Sequence, residues 1–203
     1  WNTYEEFLLS DEAKKNISNN QDWLVQKPVK LSTVDAMAGD RLFTGISEFD
    51  RVLGGGAMKR SAILIGGEPG IGKSTLLLQT SASISESEKD AKVLYISGEE
   101  SAGQIRSRAD RLNLPTENIH ILCTSKLEDI ENALNEIQPV FCVVDSIQTV
   151  YTPEAGIVPG TVNQLKYCAN ELISWVKEHN CVLMLVAHIT KEGIIAGPKS
   201  LEH

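Results

Sequence analysis

The sequence lacks any apolar run long enough to cross a bilayer, and its start has no signal peptide. We therefore expect a soluble, cytoplasmic protein that makes no membrane contact. The sequence also lacks an excess of positive charge, since its formal net charge is −8. A broadly basic nucleic-acid-binding surface is therefore not expected. Any contact with DNA must be local, or must be made by parts of the protein outside this chain.

The four cysteines lack the C-x-x-C spacing that is typical of zinc sites. Zinc is therefore not expected from these residues. Cys142 and Cys181 lie inside apolar runs and are predicted to be small buried hydrophobic side chains. The length of 203 residues suits one α/β domain with a full core, with room for an appendage.

The most informative feature that is present is a glycine-rich segment at residues 67–75, which fits the pattern G-x-x-x-x-G-K-[ST]. The segment follows an apolar run at 62–66 and precedes a helix-like run at 76–79. A strand, a glycine loop and a helix N-terminus, in that order, form a phosphate-binding P-loop. A chance glycine-rich turn is the alternative, and the flanking strand and helix patterns disfavour it. The segment predicts that the chain binds a nucleoside triphosphate.

Each part of this segment has a physical role in holding phosphate. Glycines let the backbone curl so that N–H groups point inward, and the following helix adds its unpaired N–H groups and its positive dipole end. Lys73 is predicted to contact the β- and γ-phosphates, Ser74 to bind Mg²⁺ through its hydroxyl, and Thr75 to add a further hydroxyl. The predicted binding residues for ATP are Gly67, Glu68, Pro69, Gly70, Ile71, Gly72, Lys73, Ser74 and Thr75.

Outside this segment, apolar runs alternate with stretches of helical spacing. Strands are predicted at 91–97, 119–123, 140–144 and 181–187, and helices at 101–112, 127–137 and 162–179. This alternation predicts a mostly parallel β-sheet with helices on both faces. Residues 44–50 begin like a capped helix that stops at the glycines 54–56. Residues 1–40 are weakly patterned and are predicted to be a linker with a short helix at 5–16, and residues 41–203 to be the domain.

Carboxylates at predicted strand ends are candidates for the remaining chemistry. Asp145 ends an apolar strand, where it could hold Mg²⁺ through water, and its alternative role is a helix N-cap. Glu99 and Glu100 follow another strand, where the ligands of parallel sheets gather, so a carboxylate there could orient water toward the γ-phosphate. The alternative is an acidic helix start stabilised by the helix dipole. Spacing alone leaves these two roles equally open.

With these pieces in place, the chain from about Thr44 to its last residue resembles the RadA (Sms) family of bacterial DNA-repair proteins, which are RecA-like P-loop ATPases. The resemblance is carried by the stretches 44–56, 64–79, 95–101, 144–149, 188–193 and 196–199. The 144–149 and 188–199 blocks are specific to this family. The resemblance implies that Glu99 is the water-activating carboxylate, with Glu100 beside it, and that His188 is a polar sensor of the γ-phosphate. For His188 the alternative is a strand-end histidine satisfied by the backbone.

The resemblance also implies partners. Two loops, 151–162 and 190–203, would face DNA, and Lys191 and Lys199 are the cations of the second. The alternative is that both are solvated surface lysines. The implied activity is ATP hydrolysis that drives branch migration on single-stranded or branched DNA, with the recombinase RecA as a partner. The implied assembly is a hexameric ring, in which basic residues of a neighbouring subunit complete the ATP site.

The sequence departs from the family pattern at both ends. The family's four-cysteine zinc motif, its last core strands, its Lys-Asn-Arg-Phe-Gly motif and its Lon-protease-like ring domain are absent from the 203 residues. We therefore expect a C-terminally truncated fragment with an exposed sheet edge, which binds nucleotide, hydrolyses it slowly and has only weak, salt-sensitive affinity for DNA. Zinc would belong only to the missing motif.

Two other functions remain as alternatives. One is a different RecA-like ATPase, of the DnaB helicase type or the KaiC type, which the 144–149 and 188–193 blocks disfavour. The other is a nucleotide-gated binding module without turnover. The presence of Glu99 and Asp145 disfavours the binding module, although it describes the behaviour expected of a truncated chain.

Overall fold

The computed structural model describes residues 28, 30–33, 41–87, 91–156, 158 and 160–188. The chain divides into two units, Trp1–Ala38 and Gly39–His203. In the first unit, the described residues form a short 3-10 helix, Leu31–Thr33, in which the Thr33 hydroxyl donates to the Lys30 carbonyl over 2.8 Å. The helix predicted at 5–16 lies outside the described residues.

The second unit contains a five-stranded sheet and a small two-stranded sheet. The small sheet pairs β1 (Arg41–Leu42) with β2 (Ala57–Met58) in antiparallel fashion. The strands of the large sheet are β3 (Ser61–Gly67), β4 (Val93–Ser97), β5 (Ile119–Cys123), β6 (Phe141–Asp145) and β7 (Val182–His188). Their spatial order is β3-β7-β6-β4-β5, and every neighbouring pair is parallel. The predicted parallel sheet is thus confirmed.

Helices connect these strands and cover both faces of the large sheet. They are α1 (Ser47–Val52), α2 (Lys73–Ser87), α3 (Ala102–Arg111), α4 (Leu127–Ile137) and α5 (Val162–Glu178). Side chains of α2 and α3 pack with one set of alternating strand residues, and side chains of α4 and α5 pack with the other set. Among the described residues, no helix is both long and apolar enough to span a bilayer.

Burial differs between the centre and the edge of the large sheet. Every residue of β4 and of β6 is buried, which explains why these strands are continuously apolar in sequence. Residues of β3, which pairs only with β7 within the described part of the chain, are mostly half-buried. The predicted burial of Cys142 and Cys181 is confirmed, and burial raises the pKa of Cys181 to about 12.

The small helix α1 differs in one detail from its prediction. It begins at Ser47, and the N-cap position is occupied by Ile46, which has no side-chain acceptor and makes no side-chain cap hydrogen bond. The Asp50 carboxylate instead accepts the backbone N–H of Thr44 over 2.8 Å. The predicted stop is confirmed, because Gly54, Gly55 and Gly56 all have positive φ angles, which glycine adopts without steric cost.

Candidate functional site

The glycine-rich loop lies between β3 and α2, and residues 68–72 are exposed. Gly70 and Gly72 have φ angles of 82° and 101°, in the left-handed region. A Cβ atom on either glycine would meet open space, so backbone conformation rather than crowding requires glycine here. The loop therefore curls as predicted and opens to solvent directly before the N-terminus of α2, where an anion would be attracted.

Lys73 is the first residue of α2 and is only 7% exposed. Its ammonium donates to the carbonyl oxygens of Gly67, over 2.7 Å, and Glu68, over 2.8 Å. An ammonium carries three N–H donors, so one remains beyond these two contacts. The loop backbone thus fixes the position of this cation beside the exposed glycines. The positive charge lies where the sequence predicts phosphate contact.

Asp145 is the last residue of β6, and its Oδ2 accepts a hydrogen bond from the Tyr95 hydroxyl over 2.9 Å. The tyrosine thus holds one carboxylate oxygen of a predicted Mg²⁺ ligand. Ser74, the other predicted ligand, is the second residue of α2. The alternative role of Asp145 as an N-cap is not observed, since the 3-10 helix Ile147–Thr149 has Ser146 at that position.

The donor set fits a hard cation such as Mg²⁺. A serine hydroxyl and an aspartate carboxylate are oxygen ligands, and Mg²⁺ is commonly held by one or two protein oxygens together with water and substrate phosphates. Within the described ranges, no three His, Cys, Asp or Glu side chains cluster as a metal site. The site therefore suits a metal that arrives with a phosphate ligand, rather than a protein cage.

Glu99 follows β4 and lies against the ends of two other strands. Its Oε1 accepts a hydrogen bond from the Ser146 hydroxyl over 2.9 Å and lies 3.2 Å from Nε2 of His188. Half of its side chain, 50%, stays exposed. The structure thus brings together the predicted water-activating carboxylate and the predicted sensor histidine.

Glu100 has a different environment from its neighbour. It forms an ion pair with Arg108 of α3, whose side chain is only 11% exposed. Helix α3 begins after both glutamates, because Ser101 is its N-cap and forms a capping box with Gln104. The alternative of an acidic first turn is therefore not observed. The pair with Arg108 fixes Glu100, and Glu99 is the carboxylate that faces the other strand ends.

His188 is also held by a residue that the sequence did not single out. Its backbone carbonyl accepts a hydrogen bond from Nε2 of Gln148 over 3.3 Å. Its Nδ1 is buried and forms no hydrogen bond with the described residues, so the backbone does not satisfy the ring. Sequence reasoning also missed Ser146 and Tyr95. Ser146 lies within the 144–149 block and Tyr95 begins the 95–101 block, which are usable signals, although neither block assigns these residues a role.

The first predicted DNA-facing loop is partly fixed by α5. The buried Gln164 side chain accepts the Thr152 N–H over 2.9 Å and donates to the carbonyls of Thr152, over 2.7 Å, and Gly156, over 2.5 Å. These hydrogen bonds therefore hold residues 152–156 against α5. Lys191 and Lys199, and the second predicted loop at 190–203, lie outside the described residues.

A separate cleft of 540 Å³ lies between α4 and the loop that leads to α5. Its lining includes Lys126, Glu131 and Tyr167. Burial, together with nearby glutamates, raises the pKa of Glu131. The cleft contains none of the predicted phosphate-binding residues, and its excess of carboxylates would repel a phosphate. It is therefore not the predicted nucleotide site.

Comparisons with known proteins identify a family and several relatives of the chain. Residues 26–193 match the family described as AAA domain. The DNA repair protein RadA of Treponema pallidum (strain Nichols) is 57% identical over 204 residues, which cover 100% of this chain and 44% of that protein. The DNA repair protein RadA of Bacillus subtilis (strain 168) is 46% identical over 205 residues, with the same two coverages. The chain thus spans less than half the length of these relatives.

A solved structure supports the fold. A KaiC-like protein from the hyperthermophilic archaeon Pyrococcus horikoshii OT3 superposes with a TM-score of 0.60 at 20% sequence identity, covering 73% of this chain and 71% of that one. At this identity the likeness shows the fold alone. It confirms the predicted RecA-like P-loop architecture.

Proposed function

Because this chain belongs to the AAA domain family, as a relative of bacterial RadA proteins, we propose that it is an ATPase of DNA repair. The observation that most supports this proposal is that the ends of four strands meet at one edge of the large sheet. Gly67 is the register partner of His188, and Ser97 is the register partner of Asp145. The P-loop, the sensor histidine and the acidic residues therefore share the edge at which parallel sheets bind ligands.

We assign the binding roles as follows. The loop N–H groups and Lys73 would hold the phosphates of ATP. Ser74 would hold Mg²⁺ through its hydroxyl, and Asp145 would hold it through water. When bound, the metal neutralises charge that develops on the transferring phosphate. The two hydrogen bonds from Lys73 to the loop carbonyls hold its ammonium group in place before nucleotide binds.

Glu99 is the proposed general base. Ser146 and His188 both contact Oε1, which leaves Oε2 to accept a proton from water. The same contacts fix the direction in which the carboxylate points, and a fixed direction is what a general base needs. His188, which touches this carboxylate, connects it to the strand that ends beside the P-loop.

The proposed partners follow from the family. We propose that residues 41–203 form the ATPase domain, that residues 1–40 form a linker, and that the protein works in the cytoplasm as a ring on single-stranded or branched DNA, with the recombinase RecA. The names of the relatives as DNA repair proteins support the role in DNA repair. With a net charge of −8, DNA contact must rely on local cations, for which we propose Lys191 and Lys199.

The test is ATP turnover by the protein at its full natural length, with and without single-stranded DNA. We expect DNA to stimulate phosphate release, and DNA affinity to fall as salt rises. On single-stranded DNA, replacing both Lys191 and Lys199 by alanine should make the slope of log K against log[salt] shallower by about 1.4, since each lost phosphate contact contributes about 0.7. Nucleotide binding without phosphate release under either condition would support the binding-module alternative, and phosphate transfer to the protein itself would support a KaiC-type function.

Gly98→Ala is expected to lower turnover by at least about tenfold while nucleotide is still bound. The Gly98 N–H donates to the Asp145 carbonyl over 3.0 Å, and a Cβ atom there would collide with the Thr149 side chain, lying 2.7 Å from its Cβ. The added methyl group must displace either the Thr149 side chain or the backbone that leads directly into Glu99. A misplacement of about 1 Å can cost 10²-fold in rate. Phosphate release and nucleotide titration measure the two effects.

Gly103→Ala is the matched control, because a Cβ atom on this α3 glycine meets nothing within 4 Å. It should leave turnover unchanged. The double variant Gly98→Ala/Thr149→Gly lacks the Thr149 side chain with which the added methyl group collides, so it should recover part of the lost turnover. Equal losses in the Gly98 and Gly103 variants would show that the close approach of Gly98 to Thr149 is unimportant.

A further inference from the structure

Tyr95 is a fully buried residue in the middle of β4. It is the register partner of Val143 on β6, and Asp145 lies two residues further along the same face. The tyrosine ring packs in the apolar layer beneath α2 and α3. From this position its hydroxyl reaches Oδ2 of Asp145 over 2.9 Å. It joins residues that are 50 positions apart in sequence.

The hydrogen bond between Tyr95 and Asp145 has a fixed direction. A carboxylate only accepts, so the Tyr95 hydroxyl donates to Oδ2 of Asp145. The other carboxylate oxygen, Oδ1, receives no hydrogen bond from this tyrosine.

The polar group is not needed to fill space at this position. A phenylalanine ring would occupy the same layer, and burying a hydroxyl in apolar surroundings is costly unless it is hydrogen-bonded. The Asp145 carboxylate is the partner that satisfies this buried hydroxyl.

We propose that Tyr95 is a positioning residue of the metal–nucleotide site, which holds Oδ2 of Asp145 by its hydrogen bond and leaves Oδ1 free to serve a bound Mg²⁺. This inference rests on the proposed function, because it assumes that Ser74 and Asp145 serve Mg²⁺. Removing a group that orients a metal ligand through a hydrogen bond typically weakens metal affinity by about 10- to 100-fold. Tyr95→Phe removes the hydroxyl and keeps the ring.

The experiment titrates Mn²⁺, a spin probe for Mg²⁺, into the protein at its full natural length with saturating ADP. Electron paramagnetic resonance reports free Mn²⁺, and a parallel ADP titration in EDTA reports binding without metal. Tyr95→Phe should weaken Mn²⁺ binding by about tenfold and leave ADP binding in EDTA unchanged within about twofold. Tyr167→Phe, which removes a hydroxyl from a half-buried tyrosine on α5, should change neither.

A double variant separates positioning from a general structural role. If Tyr95 acts through Asp145, then Tyr95→Phe should weaken Mn²⁺ binding no further once Asp145→Asn is present. Additive losses, unchanged Mn²⁺ affinity in Tyr95→Phe, or an equal loss of ADP binding in EDTA would each overturn the inference. Failure of the unmodified protein to bind ADP would instead refute the proposed function, so the two failures are distinguishable.

Discussion

Glu99→Gln is expected to lower ATP turnover by about 10²- to 10⁴-fold, the usual contribution of a general base. Glutamine has nearly the same shape and can still meet Ser146 and His188, but it cannot take a proton from water. Nucleotide binding should stay intact, because the proposed phosphate-binding element is the P-loop and not Glu99. Steady-state phosphate release and ADP titration, both on the protein at its full natural length with DNA present, measure the two quantities.

Glu100→Gln is the matched control for this variant. The substitution removes the same charge one residue away, but Glu100 is already paired with the largely buried Arg108. Breaking that pair leaves a cation with little exposure, so we expect a lower thermal unfolding midpoint and a much smaller effect on turnover. Unchanged turnover in Glu99→Gln, or a larger loss in Glu100→Gln, would reverse the assignment of the base.

Lys73→Ala is expected to weaken ATP binding by about 2 to 3 kcal/mol, roughly 30- to 150-fold in Kd. The variant loses a charge-assisted contact with the phosphates. It also loses the two bonds from the ammonium to the carbonyls of Gly67 and Glu68, which hold the loop. Isothermal titration calorimetry with Mg·ATP gives the change in affinity directly.

Lys177→Ala controls for the change in net charge. Lys177 is an exposed residue in the last turn of α5 and lies far along the sequence from the P-loop. Its replacement should leave ATP affinity unchanged. The phosphate role of Lys73 would be wrong if both lysine variants bound ATP equally well. The absence of any heat from unmodified, folded protein would contradict nucleotide binding altogether.

Local signals in the sequence were enough to place most elements. The strand β5 (Ile119–Cys123) and the helix α4 (Leu127–Ile137) have the same bounds in the structure as in the sequence analysis. Both are defined by the spacing of apolar residues within a few positions, which reports the repeat of a strand or a helix directly. The curl of the loop at Gly70 and Gly72 was equally predictable, because glycine is the residue that adopts those angles freely.

Some of the predicted roles still rest on sequence alone. Lys191 and Lys199 lie outside the described residues, so their DNA contact stays a prediction. The roles of Glu99, Asp145 and His188 stay proposals, although the structure shows which groups surround each of them.

The sequence by itself determined the order of strands and helices, the phosphate loop and the carboxylates at strand ends, because a pattern of neighbouring residues specifies each of these features. Only the tertiary structure decided that Glu99, rather than Glu100, meets Ser146 and His188, which lie 47 and 89 positions away along the chain. It alone placed Tyr95 against Asp145. The physical reason is that side-chain periodicity gives the face on which a residue lies, whereas its contacts depend on which strands become neighbours.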